Sequence, residues 1–426
     1  MKQVKIGVIG FGTVGTGAIS ILLNQKELVK KRTGIELILK KVADKDLERP
    51  RQISLPRELL TADAWEIIKD PEIDIVVELI GGIHPAKEFI IEALRNGKHV
   101  VTANKALLAE EGNDIFKEAK ERGLQVGFEA SVAGGIPIIK VMREALVANR
   151  MLAIYGIING TTNFILTKMT NEGIDFPEAL REAQELGYAE ADPTLDIEGI
   201  DSAHKLTILA SLAYGIPLSF KSVYCEGITK IASQDIEFAK EFGYKIKLLA
   251  ITKLLDSEIE LRVHPTMVPE DYLISKVDGV FNAIYVEGDS VGATLYYGRG
   301  AGSMPTGSAV VADIVDIAKG VKTLSFDFSE KYTIKPIEEI ESMYYFRFMA
   351  LDRPGVLSKI SGVFGEHNIS IASVIQKGRS KAGAVPLVIL THKAKEKDVL
   401  QAVQKIDQLP VVAAKSVFIR VEGQEE

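Results

Sequence analysis

The chain has 426 residues and a single cysteine, Cys225. No disulfide framework and no thiolate metal cluster can form within it, which fits a reducing compartment. No stretch approaches the roughly 20 apolar residues of a membrane span. The start, MKQVKIGVIG, reads as a short strand rather than a signal peptide with a long apolar core. These absences predict a cytoplasmic protein that does not engage a membrane. A basic excess is missing too. The net charge is −7, so no nucleic-acid-binding face is expected. No long tandem repeat and no low-complexity tract is present. Hydrophobic residues make up 46% and charged residues 26%, as in an ordinary globular protein, and the length allows two or three domains.

Apolar runs alternate with helical patterns over the first 130 residues. VKIGVIG, IELILKKVAD, DIVVELI, HVVTA and QVGFEA read as strands. Between them lie the helical run TVGTGAISILLNQKELVKKR and helices at Ala86–Arg95 and Asn113–Arg122. This alternation predicts a parallel sheet covered on both faces. A long helix is expected over Ile138–Ala148, and further helices over Pro177–Glu185 and Asp201–Tyr214. The strands YKIKLLAITKLL, IELRVHPTMV, FNAIYVEGD and GATLYYG follow and predict a mixed sheet with helices on one face. Pro305–Lys319 reads as a helix able to pack back on the first unit. Residues 325–342 read as a polar linker. Residues 343–426 give strand, helix, strand, strand, helix, strand. The expected division is 1–135, completed by the helix 305–320, then 136–304, the linker, and 343–426.

Gly10, Gly12 and Gly15 form G-x-G-x-x-G after a strand and before a helix. The glycines permit a tight turn and close approach of a pyrophosphate to the positive helix end. A dinucleotide site is therefore expected, with a mere tight turn as the plainer alternative. The second strand ends in KKVADKD. An acid here would accept from an adenosine ribose hydroxyl and favour NAD, and a base would favour the phosphate of NADP. Asp44 and Lys45 offer both, so cofactor choice stays open. Lys105, in HVVTANKALLAE, lies where a strand ends and a helix begins, beyond the carboxyl end of the strand. The loop FEASVAGGIP is too apolar for a surface loop and contains Glu129. It is either a crossover with one buried acid or a set of carbonyls for a hard cation, with Glu129 supplying charge.

Residues 188–206, YAEADPTLDIEGIDSAHKL, hold five carboxylates, one histidine and one lysine. A calcium loop is excluded, because the sixth residue from Asp192 is Ile197 and the twelfth is Ala203. Zinc spacing is absent because His204 stands alone. Asp201 and Lys205 lie four apart on one face of a helix made largely apolar by Leu206, Ile208, Leu209 and Leu212. A lysine there costs desolvation unless it has a task, and burial would lower its pKa toward the range of proton transfer, with Asp201 opposing. Glu190 lies just upstream and could face the same pocket. Asp192, Asp196 and Glu198 read mostly as a solvated surface.

Taken in order, GFGTVG, TANKALLA, FEASVAGGIPI, NGTTNFILTKM, EAQELGYAEADPTLDIEGIDSAHKL and YGRGAGSMPT resemble the homoserine dehydrogenase family, the monofunctional bacterial type. LDRPGVLSKISGVFGEHNISI looks like an ACT signature. The resemblance spans essentially the whole chain. It implies a Rossmann-type domain, an α+β substrate and dimerisation domain, and a ferredoxin-like βαββαβ ACT domain. It implies NAD(P)H-dependent reduction of L-aspartate 4-semialdehyde to L-homoserine. Lys205 then matches the proton donor and Lys105 the second essential lysine. Glu190 and Asp201 match residues that hold the substrate. Gly10, Phe11, Gly12, Thr13, Val14, Gly15, Thr102, Lys105, Gly187 and Gly302 match cofactor positions, with Asp44 and Lys45 beside the ribose. Glu129 with the carbonyls of Val132, Gly134 and Ile136 matches a sodium site. Asp44 departs from the apolar or basic residue of many relatives, so exclusive NADP use is not implied.

Two rivals remain at this level. One is another amino acid oxidoreductase of the same fold, and the other is a sensor that keeps the fold without turnover. An ACT unit has an exposed sheet edge, so two copies are expected to join in a homodimer or homotetramer. An amino acid effector such as threonine is expected near Asp352, Gly355 and Asn368. The plainer alternative is an oligomerisation unit with no effector.

Overall fold

The computed structural model describes residues 2–321, 332–377 and 383–423. Strands β1 (Lys2–Ile9), β2 (Ile35–Ala43), β3 (Leu60–Thr61), β4 (Ile75–Glu78), β5 (His99–Thr102) and β6 (Val126–Gly127) form a parallel sheet in the order β3-β2-β1-β4-β5-β6. They are joined through α1 (Thr13–Asn24), α2 (Lys26–Thr33), α3 (Trp65–Ile68), α4 (Ala86–Arg95) and α5 (Lys105–Glu121). Val76 and Val100 point into one apolar cluster, while Val77 and Val101 point into another. Both faces are therefore covered, and that is why the strands read as unbroken apolar runs. The strand order reverses between β1 and β4, the switch point at which such sheets bind ligands. The Gly-rich turn sits there. A Cβ on Gly15 would lie 2.1 Å from Gly10 O, so only glycine lets this turn close.

Three local expectations need correction. The helical run after the turn is two helices, broken at Gln25. The helix expected over Asn113–Arg122 begins at Lys105, because Asn104 caps it by accepting from Leu107 N at 3.2 Å. QVGFEA is strand only at Val126–Gly127 and then turns as a 3₁₀ helix at Glu129–Ser131.

The long helix expected over Ile138–Ala148 is also shorter. It is α6 (Ile138–Lys140) continued by a π turn at Val141–Ala145, with Leu146 N donating to Val141 O. Then come β7 (Met151–Ile157), α7 (Gly160–Glu172), α8 (Phe176–Glu185), α9 (Thr194–Ile197) and α10 (Ile200–Tyr214). The strands β8 (Tyr224–Cys225), β9 (Tyr244–Leu255), β10 (Glu258–Pro269), β11 (Phe281–Gly288) and β12 (Gly292–Arg299) follow, with α11 (Ser233–Glu241) between β8 and β9. Helix α12 (Ser303–Lys319) returns to the first sheet. Gly307 lies against the backbone of Gly17 and Ala18 on α1, and Val310 and Ile314 join the cluster that holds Val8 and Val77.

Of the expected linker, residues 325–331 lie outside the described residues. The remainder is ordered: β13 (Thr333–Ile334) pairs with β10, and β14 (Glu341–Leu351) starts before residue 343. The ACT unit continues with α13 (Val356–Glu366), β15 (Ile371–Gln376), β16 (Ala384–Thr391), β17 (Ala394–Lys395), α14 (Glu396–Ile406) and β18 (Val417–Val421). Its sheet is not separate. β18 runs parallel to β10, giving one 12-stranded sheet ordered β12-β11-β7-β9-β10-β18-β14-β16-β15, with β8, β13 and β17 off that path. One edge of the ACT sheet is therefore closed by this same chain, and among the described residues the edge left over is β15. The seam is also pinned by charge. Arg347 of β14 donates Nε and Nη2 to Asp235 of α11 at 2.6 and 3.0 Å, and Asp235 is fully buried.

Candidate active site

Helix α10 enters from Gly199, whose left-handed φ of 82° turns the chain sharply after α9. Asp201 and Lys205 share its face toward β7, with Lys205 Nζ donating to Asp201 Oδ2 at 2.6 Å and to Ile158 O at 2.7 Å. Lys105, at the first turn of α5, approaches Asp201 Oδ1 at 3.2 Å. Asn159, the N-cap of α7, accepts from Thr162 N. Its amide donates to Asp201 Oδ2 at 2.9 Å and to Asp196 Oδ1 at 2.6 Å. Two sheets and three helices thus bring two lysines and two carboxylates to one cavity of about 380 Å³, whose lining includes Gly187 and Gly302.

Burial pushes the Asp201 carboxyl up, but the Lys205 and Lys105 ammoniums and Asn159 outweigh it and hold it well below the usual carboxylate range. Lys205 shifts the other way. Burial lowers its pKa, Lys105 lowers it further, and Asp201 offsets only part. The pKa of Lys105 is raised, first by Asp201. Lys205 is thus nearer to giving up its proton, whereas Lys105 is a firm cation with 43% of its side chain open to the cavity.

The expectations for this region divide. Lys105, Asp201 and Lys205 meet as expected. Asp201 was expected to hold substrate, but its oxygens are taken by Lys205, Lys105 and Asn159. Glu190 is exposed and off the cavity wall, though close enough to help raise the pKa of Lys105. Asp196 was read as surface, and that reading is overturned, since it lines the cavity. Its carboxyl is raised, chiefly by burial. Asp192 does bond only locally, to Thr194, and Glu198 is exposed. Asn159 and Asn282 were missed. Asn282 of β11 lines the same cavity, is 1% exposed, and leaves Nδ2 without a protein partner. The signal for Asn159 was present, since N-G-T-T before a helical run is an N-cap pattern.

At the Gly-rich turn a second cavity of about 230 Å³ is lined by Phe11, Gly12, Thr13, Arg49, Arg51 and Ser303, among others. Asp44 does not stand free there as a ribose acceptor. Its Oδ2 accepts from Phe11 N at 2.6 Å, and its Oδ1 accepts from Asp46 N and faces Arg51 at 3.3 Å. Arg51 donates Nε to Phe11 O and stacks 4.5 Å from that ring. Lys45 is exposed, whereas Arg49 on this wall was not singled out from the sequence. Thr102 is fully buried with its hydroxyl donated to Glu78 at 2.7 Å, so it lies beneath the cofactor region rather than open to it.

The Glu129 carboxylate accepts from Ile139 N and Lys140 N at 2.9 and 2.7 Å, so it caps α6 instead of charging the loop carbonyls. Burial raises its pKa to about 7. Among the described residues no group of three or more histidine, cysteine or acidic side chains could hold a metal ion. Asp352 and Gly355 lie before α13 and Asn368 lies after it, at opposite ends of that helix. No helix among the described residues is long and apolar enough to cross a membrane.

Three family descriptions match consecutive parts of the chain. "Homoserine dehydrogenase, NAD binding domain" covers residues 10–129, "Homoserine dehydrogenase" 137–315, and "ACT domain" 344–411. The homoserine dehydrogenase of Neisseria gonorrhoeae is 49% identical, with 99% of each chain covered. The crystal structure of a homoserine dehydrogenase from Thiobacillus denitrificans is 48% identical and covers 99% of each chain at a TM-score of 0.93. A hyperthermophilic archaeal homoserine dehydrogenase in complex with NADPH is 27% identical at a TM-score of 0.62, covering 76% of this chain and 99% of its own.

Proposed function

Since the chain belongs to the homoserine dehydrogenase family, an NAD(P)-dependent oxidoreductase family, we propose that Lys205 carries the proton in its reaction while Asp201 orients both lysines. The reaction interconverts L-aspartate 4-semialdehyde and L-homoserine, in threonine, methionine and isoleucine biosynthesis. The nicotinamide supplies or takes the hydride when bound. The observation that carries the reading is the Lys205–Asp201 contact at 2.6 Å inside the shared cavity. Reduction places negative charge on the aldehyde oxygen. An ammonium stabilises that charge and gives up its proton, and the lowered pKa of Lys205 suits this. In oxidation the neutral amine takes the hydroxyl proton. Lys105 keeps its charge and holds an oxygen of the substrate in line. Asp196, with Glu190 on the loop above, takes the substrate ammonium, which relieves the raised carboxyl. Asn282 Nδ2 offers a donor to a substrate or cofactor oxygen. Steady-state oxidation of homoserine with NAD and NADP side by side tests the whole assignment. Turnover of aspartate with release of ammonia, or of neither substrate, would count against it.

Residues 1–135 with the helix 305–320 are assigned to the cofactor, 136–304 to substrate and dimer contacts, and 343–426 to regulation. Both cofactors are used, and Arg49 at the cavity beside Phe11 meets the 2′-phosphate of NADP. The carbonyls of Glu129, Val132, Gly134 and Ile136 are assigned to a sodium ion. The donor set fits a hard cation. Ala133 (φ 52°) and Gly134 (φ 45°) both adopt left-handed backbone, which bends this short loop tightly. The ion would brace the crossover between the sheets and takes no part in chemistry. Two or four copies assemble through β15 and the faces left open by the shared sheet, and the enzyme works in the cytoplasm.

A further inference from the structure

We propose that Glu226, held by Arg420 of β18, is a positioning residue for the substrate-binding Asp196, so that the ACT sheet forms part of the substrate site. The proposal rests on the assignment of Asp196 to the substrate ammonium. Arg420 is 1% exposed and is clamped from both sides of the seam. On the ACT side it donates Nε and Nη2 to Glu396 at 2.9 and 2.5 Å, and Glu396 also accepts from Tyr344 Oη at 2.7 Å. On the other side Nη1 donates to Glu226 Oε2 at 3.0 Å and Nη2 to Tyr224 Oη at 3.1 Å. Tyr224 Oη in turn donates to Glu226 at 3.1 Å.

The segment that Glu226 anchors lies directly beneath the catalytic turn. Glu226 N donates to Val263 O on β10 at 2.8 Å. Two residues on, Ile228 N donates to Ile197 O at 2.8 Å, and Cys225 Sγ lies 3.2 Å from Glu198 O. Gly227 permits this approach, because a Cβ there would stand 2.3 Å from Ile197 O and 2.5 Å from Glu198 Cα. Ile197 follows Asp196 in α9, and Gly199 then begins the turn into Asp201. The backbone that aims Asp196 therefore has a polar anchor on this side, and that anchor leads in two steps to the ACT unit.

A buried guanidinium between two carboxylates is a weak stabilising device, since apolar groups of similar volume often do as well. Its planar fork is good at fixing one geometry. Here the geometry fixed is that of residues 225–228, and through them that of the Asp196 turn. Glu226 is tied to β10 through Val263 O as well as to Arg420, so the two contacts together fix where residues 225–228 meet the Asp196 turn.

The test uses steady-state homoserine oxidation by full-length Glu226→Gln and Gly227→Ala enzymes, which disturb the segment independently. Each is expected to raise the KM for homoserine about five- to tenfold, with the KM for the cofactor within about twofold. Asp196→Asn is run in parallel, and Glu226→Gln in that background should add less than its single effect. A lowered melting temperature with an unmoved homoserine KM in either folded variant overturns the proposal and leaves only a staple. If one variant does not fold, the other decides. If Asp196→Asn itself leaves KM unchanged, the ammonium assignment fails instead, whatever Glu226 does.

Discussion

Lys205 and Asp201 stand one helical turn apart on α10, with Nζ 2.6 Å from Oδ2 and both side chains nearly closed to solvent. The pair is not a surface salt bridge, because Lys105 and Asn159 complete the coordination of the carboxylate from two other helices. Removing the ammonium alone should cost chemistry rather than cofactor affinity, since the Gly-rich turn belongs to the other sheet. Lys205→Ala is expected to lower kcat by roughly 10²–10⁴-fold while cofactor binding, read by fluorescence titration, stays nearly unchanged. A kcat within about threefold of the parent would remove the role assigned to Lys205.

The depressed pKa of Lys205 has a direction in pH. Homoserine oxidation needs the neutral amine, so kcat/KM should rise with pH along a limb whose midpoint lies below the ordinary lysine value of 10.5. Asp201 favours the ammonium. Asp201→Asn should therefore move this limb to lower pH as well as lowering the rate. A limb that stays in place in the variant belongs to a group other than Lys205.

At the cofactor end, Asp44 does not stand free as the ribose acceptor that would favour NAD. Its oxygens hold Phe11 N, Asp46 N and Arg51, so it shapes the turn that both cofactors share. Asp44→Ala is expected to weaken NAD and NADP alike, by about tenfold for one lost charge-assisted hydrogen bond. Arg49→Ala should weaken NADP selectively. A shift toward NADP in Asp44→Ala, with Arg49→Ala neutral, would restore the simpler view of a ribose acid.

Much of this site was legible from residue order, and the reasons for the gaps are physical. The Gly-rich turn, Lys105 and the Asp201–Lys205 pair announce themselves because their geometry is local, set by one turn or one helix face. Asp196 and Asn159 were harder. They become site residues only when α7, α9 and α10 converge, and an aspartate in a polar run looks the same on either side of a loop. The same holds for the seam. The pattern of β18 says strand, but nothing in it says that the neighbour is β10, because register is chosen by tertiary packing. Buried Arg420 was a signal in principle, since an arginine at an inward position of a strand needs partners.

Sodium should matter as a brace. If the carbonyls of Glu129, Val132, Gly134 and Ile136 hold the ion, replacing sodium by choline should lower the melting temperature and restoring it should raise it, because a ligand bound only to the folded state stabilises it. Glu129→Gln should weaken this response only modestly, since its carboxylate caps α6 rather than facing the ion. Indifference of both stability and rate to sodium and potassium would leave the loop as a plain crossover.

Regulation by an amino acid at the expected residues would depend on the distance between Gly355 and Asn368. They flank α13, whose eleven residues span about 16 Å, so one small amino acid cannot touch both in a single chain. Because β10 already closes the β18 edge, any contact between ACT sheets of two copies is expected on the other side, where β15 is the edge among the described residues. A ligand there would sit between Asp352–Gly355 of one copy and Asn368 of another, with its carboxylate at the N-terminus of α13. Threonine, as the pathway end product, should then lower the rate, and its binding should require the oligomer, because regulation needs an effector that favours one enzyme state. Gly355→Asp places a second carboxylate at that helix end, in a left-handed position of φ 85°, and should abolish the fractional inhibition. Calorimetry that detects no threonine binding at millimolar concentration, with the oligomer intact by ultracentrifugation, would leave the ACT unit as an assembly element whose second task is to hold Arg420 in place.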